Sequence, residues 1–252
     1  MFSQNIENAV KKSLFELETF VPDIDEKYTR DDLIRLYWQY NQRFKSIKVY
    51  PLINSHILDI GSGSGGLFFW KEYLAPARND LKMTAIDLQK GAHFDKYQDY
   101  KLLNLDHEKL PFPSDTFGFI IASHLIEHIK DWKNFLVQCE KILKQGGVIY
   151  LETPSKHTIN LPKKQLLIEK GFPCTTINFY DDHTHTFTVD IDELSQYAES
   201  IGLISLEKGY CKNPFLENKL LSYGYSNKDL EVCQYGLWSK LFFSSYVILQ
   251  KT

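Results

Sequence analysis

The chain has 252 residues, of which 43% are hydrophobic, and this is enough to bury a full core. Charged residues make up 24% and the formal net charge is −3, so the composition gives no electrostatic reason to bind nucleic acid or an anionic membrane. Four scattered cysteines without a C-x-x-C pair argue against a zinc ribbon or a disulfide framework, and they favour a reducing compartment. No apolar run approaches the length of a membrane span, and the first residues are too polar for a signal peptide. We therefore expect a cytoplasmic soluble protein that has no membrane partner.

The first half of the chain predicts helices followed by alternating strands and helices. Apolar residues at helical spacing predict an amphipathic helix over residues 2–19, and a second helix is expected from about Asp31 to Ile47 with Thr29 or Asp31 as its cap. Short buried strands are then predicted at residues 56–60, 82–88, 100–103, 118–123 and 148–151, with helices at residues 66–74 and 131–143. This alternation predicts a parallel sheet covered by helices on both faces.

The second half of the chain is less regular. A helix is predicted over residues 191–198 and a strand over residues 204–208, whereas residues 211–238 are rich in aromatic side chains and are predicted to be an insertion. Residues 239–250 are predicted to form a long final strand. Because no linker is recognisable, we expect a single domain over residues 1–252. Its parts are a helical cap at 1–50, a first half at 51–155 and a second half at 156–252.

A glycine-rich loop follows the first predicted strand in the segment ILDIGSGSGG, residues 57–66. Such a loop between a strand and a helix lets the backbone approach a ligand closely. Gly61, Gly63 and Gly66 satisfy the G-x-G-x-x-G pattern of NAD-binding loops. Gly61, Gly63 and Gly65, preceded by Asp59, satisfy the different pattern D-x-G-x-G-x-G. The loop alone leaves both cofactor classes open.

Three further segments follow the loop in order. Asp87 ends the second predicted strand, where a carboxylate can accept both hydroxyls of a ribose. The segment LDHEKLPF occupies residues 105–112, and LKQGG at residues 143–147 precedes a strand that ends in Thr153-Pro154. Together with D-x-G-x-G-x-G, these segments resemble the motifs of class I S-adenosylmethionine (SAM) methyltransferases, in particular the widespread small-molecule family. The match departs from that family at Gly118, where the family has an acid.

The resemblance implies an α/β Rossmann-like sheet of seven strands whose last strand is antiparallel, with helices on both faces, an N-terminal helical extension and a substrate-side insertion. It also implies that residues 51–155 bind SAM. Asp59 would serve the cationic amino group of the cofactor, and Asp106 would lie beside the adenine amino group. The cofactor-binding residues expected from the resemblance are Asp59, Gly61, Gly63, Gly65, Asp87, Leu88, Asp106 and Ser123.

The segment SHLIEH, residues 123–128, contains the H-x-x-E-H pattern of a zinc peptidase family. That pattern needs one continuous helix, and here a predicted strand runs into it, which argues against a peptidase. Three interpretations stay open. Glu127-His128 is a structural pair, or His124 is a general base near neutral pH, or the segment binds a metal. The metal set implied by related O-methyltransferases is His124, Glu127, His128 and His185.

The function expected from these observations is in-line transfer of a methyl group from SAM to a small hydroxylated metabolite or sugar. His124 and His185 are the predicted catalytic residues. The N-terminal helices, with Tyr37 and Tyr40, and the 211–238 segment are the predicted lid, and the alternative that their aromatic side chains belong to the core stays open. The alternatives are a metal-assisted 2′-O-methyltransferase acting on RNA, against which the acidic balance argues, a NAD-dependent oxidoreductase, and a SAM-binding module without catalysis.

Overall fold

A computed structural model describes residues 2–23, 27–71 and 74–252. These residues form two compact units, each of which is described by itself. The sheet unit comprises Gln42–Thr153, Val189–Gly209 and Ser245–Thr252, and the helical unit comprises Met1–Asn41, Pro154–Thr188 and Tyr210–Ser244. The single domain expected from the sequence stays a prediction, because compactness alone does not show whether each unit folds independently.

Seven strands in the described residues form one sheet with the order β3-β2-β1-β4-β5-β7-β6. Strands β1 to β5 pair in parallel, and β7 is antiparallel. This confirms the predicted Rossmann-like mixed sheet. The strands are β1 (His56–Ile60), β2 (Lys82–Asp87), β3 (Asp99–Leu102), β4 (Phe117–Ser123), β5 (Leu143–Pro154), β6 (Leu203–Tyr210) and β7 (Ser244–Lys251).

The central strands are parallel because they are apolar on both faces. Leu58 of β1 pairs with Thr84 of β2 on one side and Ile120 of β4 on the other, and all three side chains are buried. A strand buried on both faces needs a covering layer above and below, which crossover helices provide. The strand order reverses between β1 and β4. Open α/β sheets bind ligands at such a reversal, beyond the carboxyl ends of the strands.

Nine α-helices lie in the part of the chain that the structure describes. They are α1 (Phe2–Glu18), α2 (Arg30–Tyr40), α3 (Gln42–Val49), α4 (Gly66–Trp70), α5 (Trp132–Ile142), α6 (Lys164–Glu169), α7 (Ile191–Ser200), α8 (Glu217–Asn227) and α9 (Leu230–Lys240). Capping defines several of their first turns. Asp190 caps α7, since its side chain accepts a hydrogen bond from the Asp192 N–H at 2.8 Å.

The helical unit has its own apolar core, to which residues far apart in sequence contribute. Leu17, Leu161, Phe172, Leu221 and Leu237 are all buried in it. The aromatic segment predicted to be an insertion forms the hairpin of α8 and α9. Within this unit the two predicted lid segments pack together. The rings of Tyr37 and Tyr235 stack with centroids 4.0 Å apart, and Tyr40 meets Phe215 edge to face at 4.9 Å.

The predicted helix from Asp31 to Ile47 is wrong in one respect, because the chain breaks it at Asn41. Thr29 caps α2 in a capping box with Asp32. Asn41 is extended at ψ 141, and its N–H donates to the Trp38 carbonyl, so α2 ends at Tyr40 and α3 starts as a new helix. The side-chain amide of Asn41 donates to the Tyr37 hydroxyl at 3.3 Å, which stabilises the break.

Other predicted bounds also require correction. The final strand begins at Ser244 and not at Ser239, because α9 continues to Lys240. Strand β5 begins at Leu143, so Gly146 and Gly147 lie within it, and Gly146 adopts φ 72. Helix α4 ends at Trp70, and part of the helix predicted to Leu74 lies outside the described residues. No helix within residues 2–23, 27–71 and 74–252 has the length and apolar character needed to cross a membrane.

Candidate active site

The glycine loop, residues 61–65, joins β1 to α4. Gly61, Gly63 and Gly65 have φ values of 72, 55 and 81, a region that other residues rarely adopt. Gly65 is required by the D-x-G-x-G-x-G pattern alone, since it falls on a free position of G-x-G-x-x-G. The Gly61 N–H donates to the Ile86 carbonyl at 2.8 Å, which ties the loop to the end of β2.

Asp87 lies at the carboxyl end of β2 and faces the glycine loop. Its Oδ2 accepts a hydrogen bond from the Gly63 N–H at 2.7 Å, and its Oδ1 accepts one from the Gln89 N–H at 3.3 Å. The neighbouring Leu88 is 69% exposed. Each carboxylate oxygen has a second lone pair with which to accept a ribose hydroxyl. An exposed apolar side chain beside this carboxylate suits one face of a nucleoside.

Asp106 lies in the loop after β3 and is held by the segment after β4. Its Oδ1 accepts a hydrogen bond from the Lys130 N–H at 3.1 Å, and the Lys130 ammonium lies 3.9 Å from its Oδ2. Its side chain is 24% exposed. The predicted adenine-binding acid therefore has a fixed position at the same edge of the sheet as Asp87.

Asp59 of β1 is buried, in contrast to Asp87 and Asp106. Its Oδ2 accepts a hydrogen bond from the Tyr97 hydroxyl at 2.5 Å. Burial raises the pKa of Asp59 to about 6, although the Tyr97 hydrogen bond and the charge of Arg43 act in the opposite direction. Burial and the neighbouring carboxylate also raise the pKa of Tyr97. The predicted role of Asp59 towards the cofactor amino group stays a prediction.

The segment after β4 takes part in an ionic cluster, which we define as Arg43, His124, Glu127 and Glu152; the two carboxylates are buried and the two cations are partly buried. His124 has φ 52, which places its ring between two carboxylates. Its Nδ1 lies 3.4 Å from Glu127 Oε1, and its Nε2 lies 3.3 Å from Glu152 Oε1. Burial alone would lower the pKa of His124, but the two carboxylates outweigh it and raise the pKa to about 9. The ring is therefore an imidazolium at neutral pH.

Glu152 lies at the end of β5 and connects the cluster to α3. Its side chain is 3% exposed, and it accepts hydrogen bonds from Arg43, from Ser123 Oγ at 3.1 Å and from the Tyr150 hydroxyl at 2.8 Å. Arg43 also donates to Ser123 Oγ. Burial disfavours the charge on Glu152, but Arg43 and His124 reverse this effect and hold its pKa below the usual range. Ser123, predicted to bind the cofactor, is thus part of the same network.

Arg43 and Glu152 are the residues that sequence reasoning misses. The available signal is a single carboxylate at Glu152 among the apolar residues of VIYLETP, since a charge in a buried strand needs a partner. Nothing in the spacing indicates that the partner comes from α3.

The remaining predicted histidines lie in different parts of the chain. His128 follows Glu127 in the sheet unit, and the Glu127 carboxylate accepts a hydrogen bond from Thr153 Oγ1 at 3.0 Å. His185 belongs to the helical unit, where its Nδ1 lies 2.6 Å from the Phe179 carbonyl and its Nε2 lies 3.9 Å from Asp182 Oδ2. The carbonyl fixes the proton on Nδ1 and makes Nε2 the basic nitrogen. The metal set of four residues stays a prediction.

The residues at the carboxyl edge fit a nucleoside cofactor such as SAM. Asp87 and Asp106 present carboxylates and Leu88 presents an exposed apolar side chain at this edge, and their roles towards ribose and adenine stay predictions. Among the described residues beyond Gly63 and its two chain neighbours, no heavy atom lies within 4 Å of a Cβ built on Gly63, so the loop presents bare backbone at this position.

The strand order, the glycine loop and the two edge carboxylates together define the fold of the class I SAM-dependent methyltransferases. A family model of the methyltransferase domain matches residues 25–207, and the chain belongs to this family.

Curated relatives of this chain are also methyltransferases. The chain is 27% identical over 187 residues to human mitochondrial ubiquinone biosynthesis O-methyltransferase, which covers 69% of this chain and 50% of the relative. It is 28% identical over 136 residues to a ubiquinone/menaquinone biosynthesis C-methyltransferase from Rickettsia massiliae, with 50% of this chain and 55% of the relative covered. The chain thus spans about half the length of these relatives.

Solved structures agree on the fold. A SAM-dependent methyltransferase from Archaeoglobus fulgidus superposes with a TM-score of 0.55 at 16% identity, covering 94% of this chain and 98% of that one. Phosphoethanolamine N-methyltransferase 2 from Haemonchus contortus, in complex with S-adenosyl-L-methionine, gives a TM-score of 0.57 at 16% identity, covering 90% of this chain and 58% of that one.

Proposed function

We propose that the protein transfers the methyl group of SAM to a hydroxyl of a small metabolite. The observation that carries this proposal is the carboxyl edge of the sheet, where the glycine loop, two carboxylates and an exposed apolar side chain suit a nucleoside; these residues are Asp87, Leu88 and Asp106. The similarity to ubiquinone biosynthesis O- and C-methyltransferases supports a small acceptor, and the choice of oxygen as the nucleophile follows the O-methyltransferase among them. The SAM sulfonium supplies an activated methyl group when it is bound.

The protein's part in this reaction is to bind and orient. Asp87 accepts hydrogen bonds from the ribose hydroxyls, and Asp106 accepts one from the adenine amino group. Leu88 covers one face of the adenine. Asp59, behind the glycine loop, provides negative charge towards the cofactor amino group. Acceptor and methyl carbon must then meet in line at about 3–3.5 Å, in a site from which water is excluded.

We propose that His124 acts as a fixed cation and not as the base. Both of its ring nitrogens face carboxylates, so both are hydrogen-bond donors, and neither offers a lone pair to an acceptor hydroxyl. His185 stays the other predicted base, because the Phe179 carbonyl holds the proton on Nδ1 and leaves the lone pair on Nε2, which lies 3.9 Å from Asp182 Oδ2. If His124 is a cation, an acceptor with an acidic hydroxyl suits the site, because such a hydroxyl loses its proton without a base at His124.

The pH dependence of the reaction separates the two roles of His124. A base with a pKa of about 9 would make kcat/KM rise as the pH increases through 9. A fixed cation loses its charge over the same range, so kcat/KM should fall instead. We expect a fall above pH 9, measured with an acceptor whose own ionisation is complete by about pH 8. A rise that disappears in His124→Gln would contradict the fixed-cation role.

A metabolite screen tests the proposed function. We expect the purified protein, incubated with SAM and pools of hydroxylated small molecules, to produce at least one product whose mass is greater by one methyl group. Asp87→Ala is the matched control, since it removes the ribose carboxylate from an edge position without touching the ionic cluster. Metal content and activity after chelation test the metal alternative. If SAM binds and no pool gains a methyl group, the SAM-binding module without catalysis becomes the better account.

A further inference from the structure

The glycine loop is held from outside by residues 88–94, which we call the β2 strap. The His93 N–H donates to the Ser64 carbonyl at 2.8 Å, which fixes the far end of the loop. The Tyr100 hydroxyl joins the two segments, because it accepts a hydrogen bond from Ser62 Oγ at 3.1 Å and donates to the Gln89 carbonyl at 2.8 Å. The strap is therefore tied to the loop at both ends.

Gly91 lies where the β2 strap comes closest to the loop. A Cβ built on Gly91 would lie 1.9 Å from the Gly63 carbonyl oxygen and 2.8 Å from two backbone atoms of Ser64. Real Cβ atoms do not approach backbone this closely, and a carbonyl cannot rotate away as a side chain can. Any side chain at position 91 must therefore displace the strap, the loop or both.

The displaced atoms are those that define the nucleoside site. The Gly63 N–H donates to Asp87 Oδ2, so a shift of Gly63 changes the distance between the loop and the ribose carboxylate. Gln89, two residues before Gly91, donates its N–H to the other oxygen of Asp87. Gly91 is thus connected to Asp87 through both the loop and the strap.

We propose that Gly91 is a positioning residue for cofactor binding: its bare backbone lets the β2 strap set the distance between the glycine loop and Asp87. This inference rests on the proposed binding of SAM at the carboxyl edge and assigns a role to a residue outside every motif of the sequence. Gly91 need not touch the cofactor itself.

The test measures binding of S-adenosylhomocysteine by calorimetry to the wild type, to Gly91→Ala and to Gly147→Ala. Gly147 is the matched control, since a Cβ there would lie 2.8 Å from the Lys144 carbonyl oxygen at the amino end of β5, away from the loop. We expect Gly91→Ala to weaken binding about tenfold or more and Gly147→Ala to leave it within about twofold, although both lower the unfolding temperature. Equal weakening in the two variants would overturn the inference.

A second ligand separates positioning from general loss of structure. The glycine loop is expected to contact the amino-acid and ribose portion of the cofactor, so Gly91→Ala should weaken S-adenosylhomocysteine more than 5′-methylthioadenosine, which lacks the amino-acid tail. A partly unfolded variant would lose affinity for both ligands by the same factor. An unchanged ratio of the two affinities therefore counts against the inference.

Tyr100→Phe provides a variant that introduces no clash. It removes the hydroxyl that links Ser62 to Gln89, and we expect about threefold weaker S-adenosylhomocysteine binding. Tyr246→Phe removes a hydroxyl that donates to Glu207 in the same unit, and it should bind like the wild type. If the wild type binds and Tyr100→Phe and Gly91→Ala both match it, the inference fails while the proposed function stands. If the wild type itself does not bind, both fail.

Discussion

At the scale of single residues, the site contains carboxylates that differ in burial. Asp87 and Asp106 stay at the edge of the sheet, where backbone N–H groups orient them. Asp59 is buried, and burial raises its pKa to about 6. Asp59 therefore weakens the fold whenever it is charged.

Replacing Asp59 by Asn should stabilise the protein and weaken cofactor binding. The amide oxygen can still accept the Tyr97 hydrogen bond, and the cost of a buried charge disappears. A pKa shift from 3.8 to about 6 corresponds to about 2–3 kcal/mol above pH 7. We expect urea unfolding to show this gain at about pH 7.5, and calorimetry to show weaker S-adenosylhomocysteine binding.

The pH dependence of that gain follows from the sign of the shift. A carboxyl whose pKa is raised in the fold contributes stability below pH 3.8 that is lost as the pH rises through about 6. The difference between Asp59→Asn and the wild type should therefore be small near about pH 4 and reach its full size above about pH 7. A difference that is constant with pH would contradict the explanation from burial.

The ionic cluster makes a second prediction, since His124 separates Glu127 from Glu152. His124→Gln should lower the free energy of unfolding by about 2–3 kcal/mol at pH 7, because it leaves two buried carboxylates without their shared cation. In a double-mutant cycle with Glu152→Gln, the double variant should lose less than the sum of the single losses. Additive losses would show that the two side chains do not interact.

The pH window of the cluster is set by both partners. The pKa of His124 is raised to about 9, so its contribution is complete below pH 6.5 and is lost as the pH rises through 9. The pKa of Glu152 is lowered, so its contribution is present above pH 4.5 and is lost on acidification. The His124→Gln penalty should therefore be greatest between about pH 5 and 6.5 and decrease steadily from there to about pH 9.

At the scale of elements, the α8–α9 hairpin depends on close contact between helix backbones. A Cβ on Gly224 would lie 2.4 Å from the Cys233 backbone nitrogen and 2.5 Å from its Cα. Cys233 is buried in the core of the helical unit. A residue with poor helix propensity in the middle of α8 is thus explained by packing.

Gly224→Ala sets helix propensity against packing. Alanine gains about 1 kcal/mol over glycine in a helix, whereas overpacking against a backbone costs about 1–3 kcal/mol or more. Because the contact is far shorter than any real one, packing should win, and thermal unfolding should show net destabilisation. Ser226→Ala at an exposed position of α8 is the control, and it should be neutral or slightly stabilising. A stabilised Gly224→Ala would show that α8 and α9 are less closely packed.

At the scale of the whole molecule, the parallel part of the sheet is predictable from the sequence and its surroundings are not. Strands β1, β2 and β4 are apolar runs bounded by glycine, aspartate or serine, and their type and position follow from local pattern alone. The last strand is predicted too early, because the apolar residues Leu241, Phe242 and Phe243 lie between α9 and β7, and hydrophobicity cannot show that they form a turn and not the start of the strand. The break at Asn41 depends on a hydrogen bond to Tyr37, which no propensity encodes.

The site shows the same division between local and long-range information. The glycine loop, Asp87 and Asp106 lie within motifs of consecutive residues, so the sequence identifies them. The ionic cluster joins α3, β5 and the segment after β4, and sequence spacing does not show which charges will meet. The sequence predicts His124 as a base because an isolated imidazole has a pKa near neutrality, and the two carboxylates that raise the pKa of His124 to about 9 come together only on folding.

The most direct test of this account is a calorimetric titration of the protein with S-adenosylhomocysteine, with NAD as the competing ligand and Asp87→Ala as the control variant. We expect saturable binding of S-adenosylhomocysteine at one site per chain, no heat from NAD, and a loss of affinity of at least about tenfold in Asp87→Ala. Binding of NAD in its place, or S-adenosylhomocysteine binding that is unchanged in Asp87→Ala, would contradict the assignment of the carboxyl edge as the cofactor site.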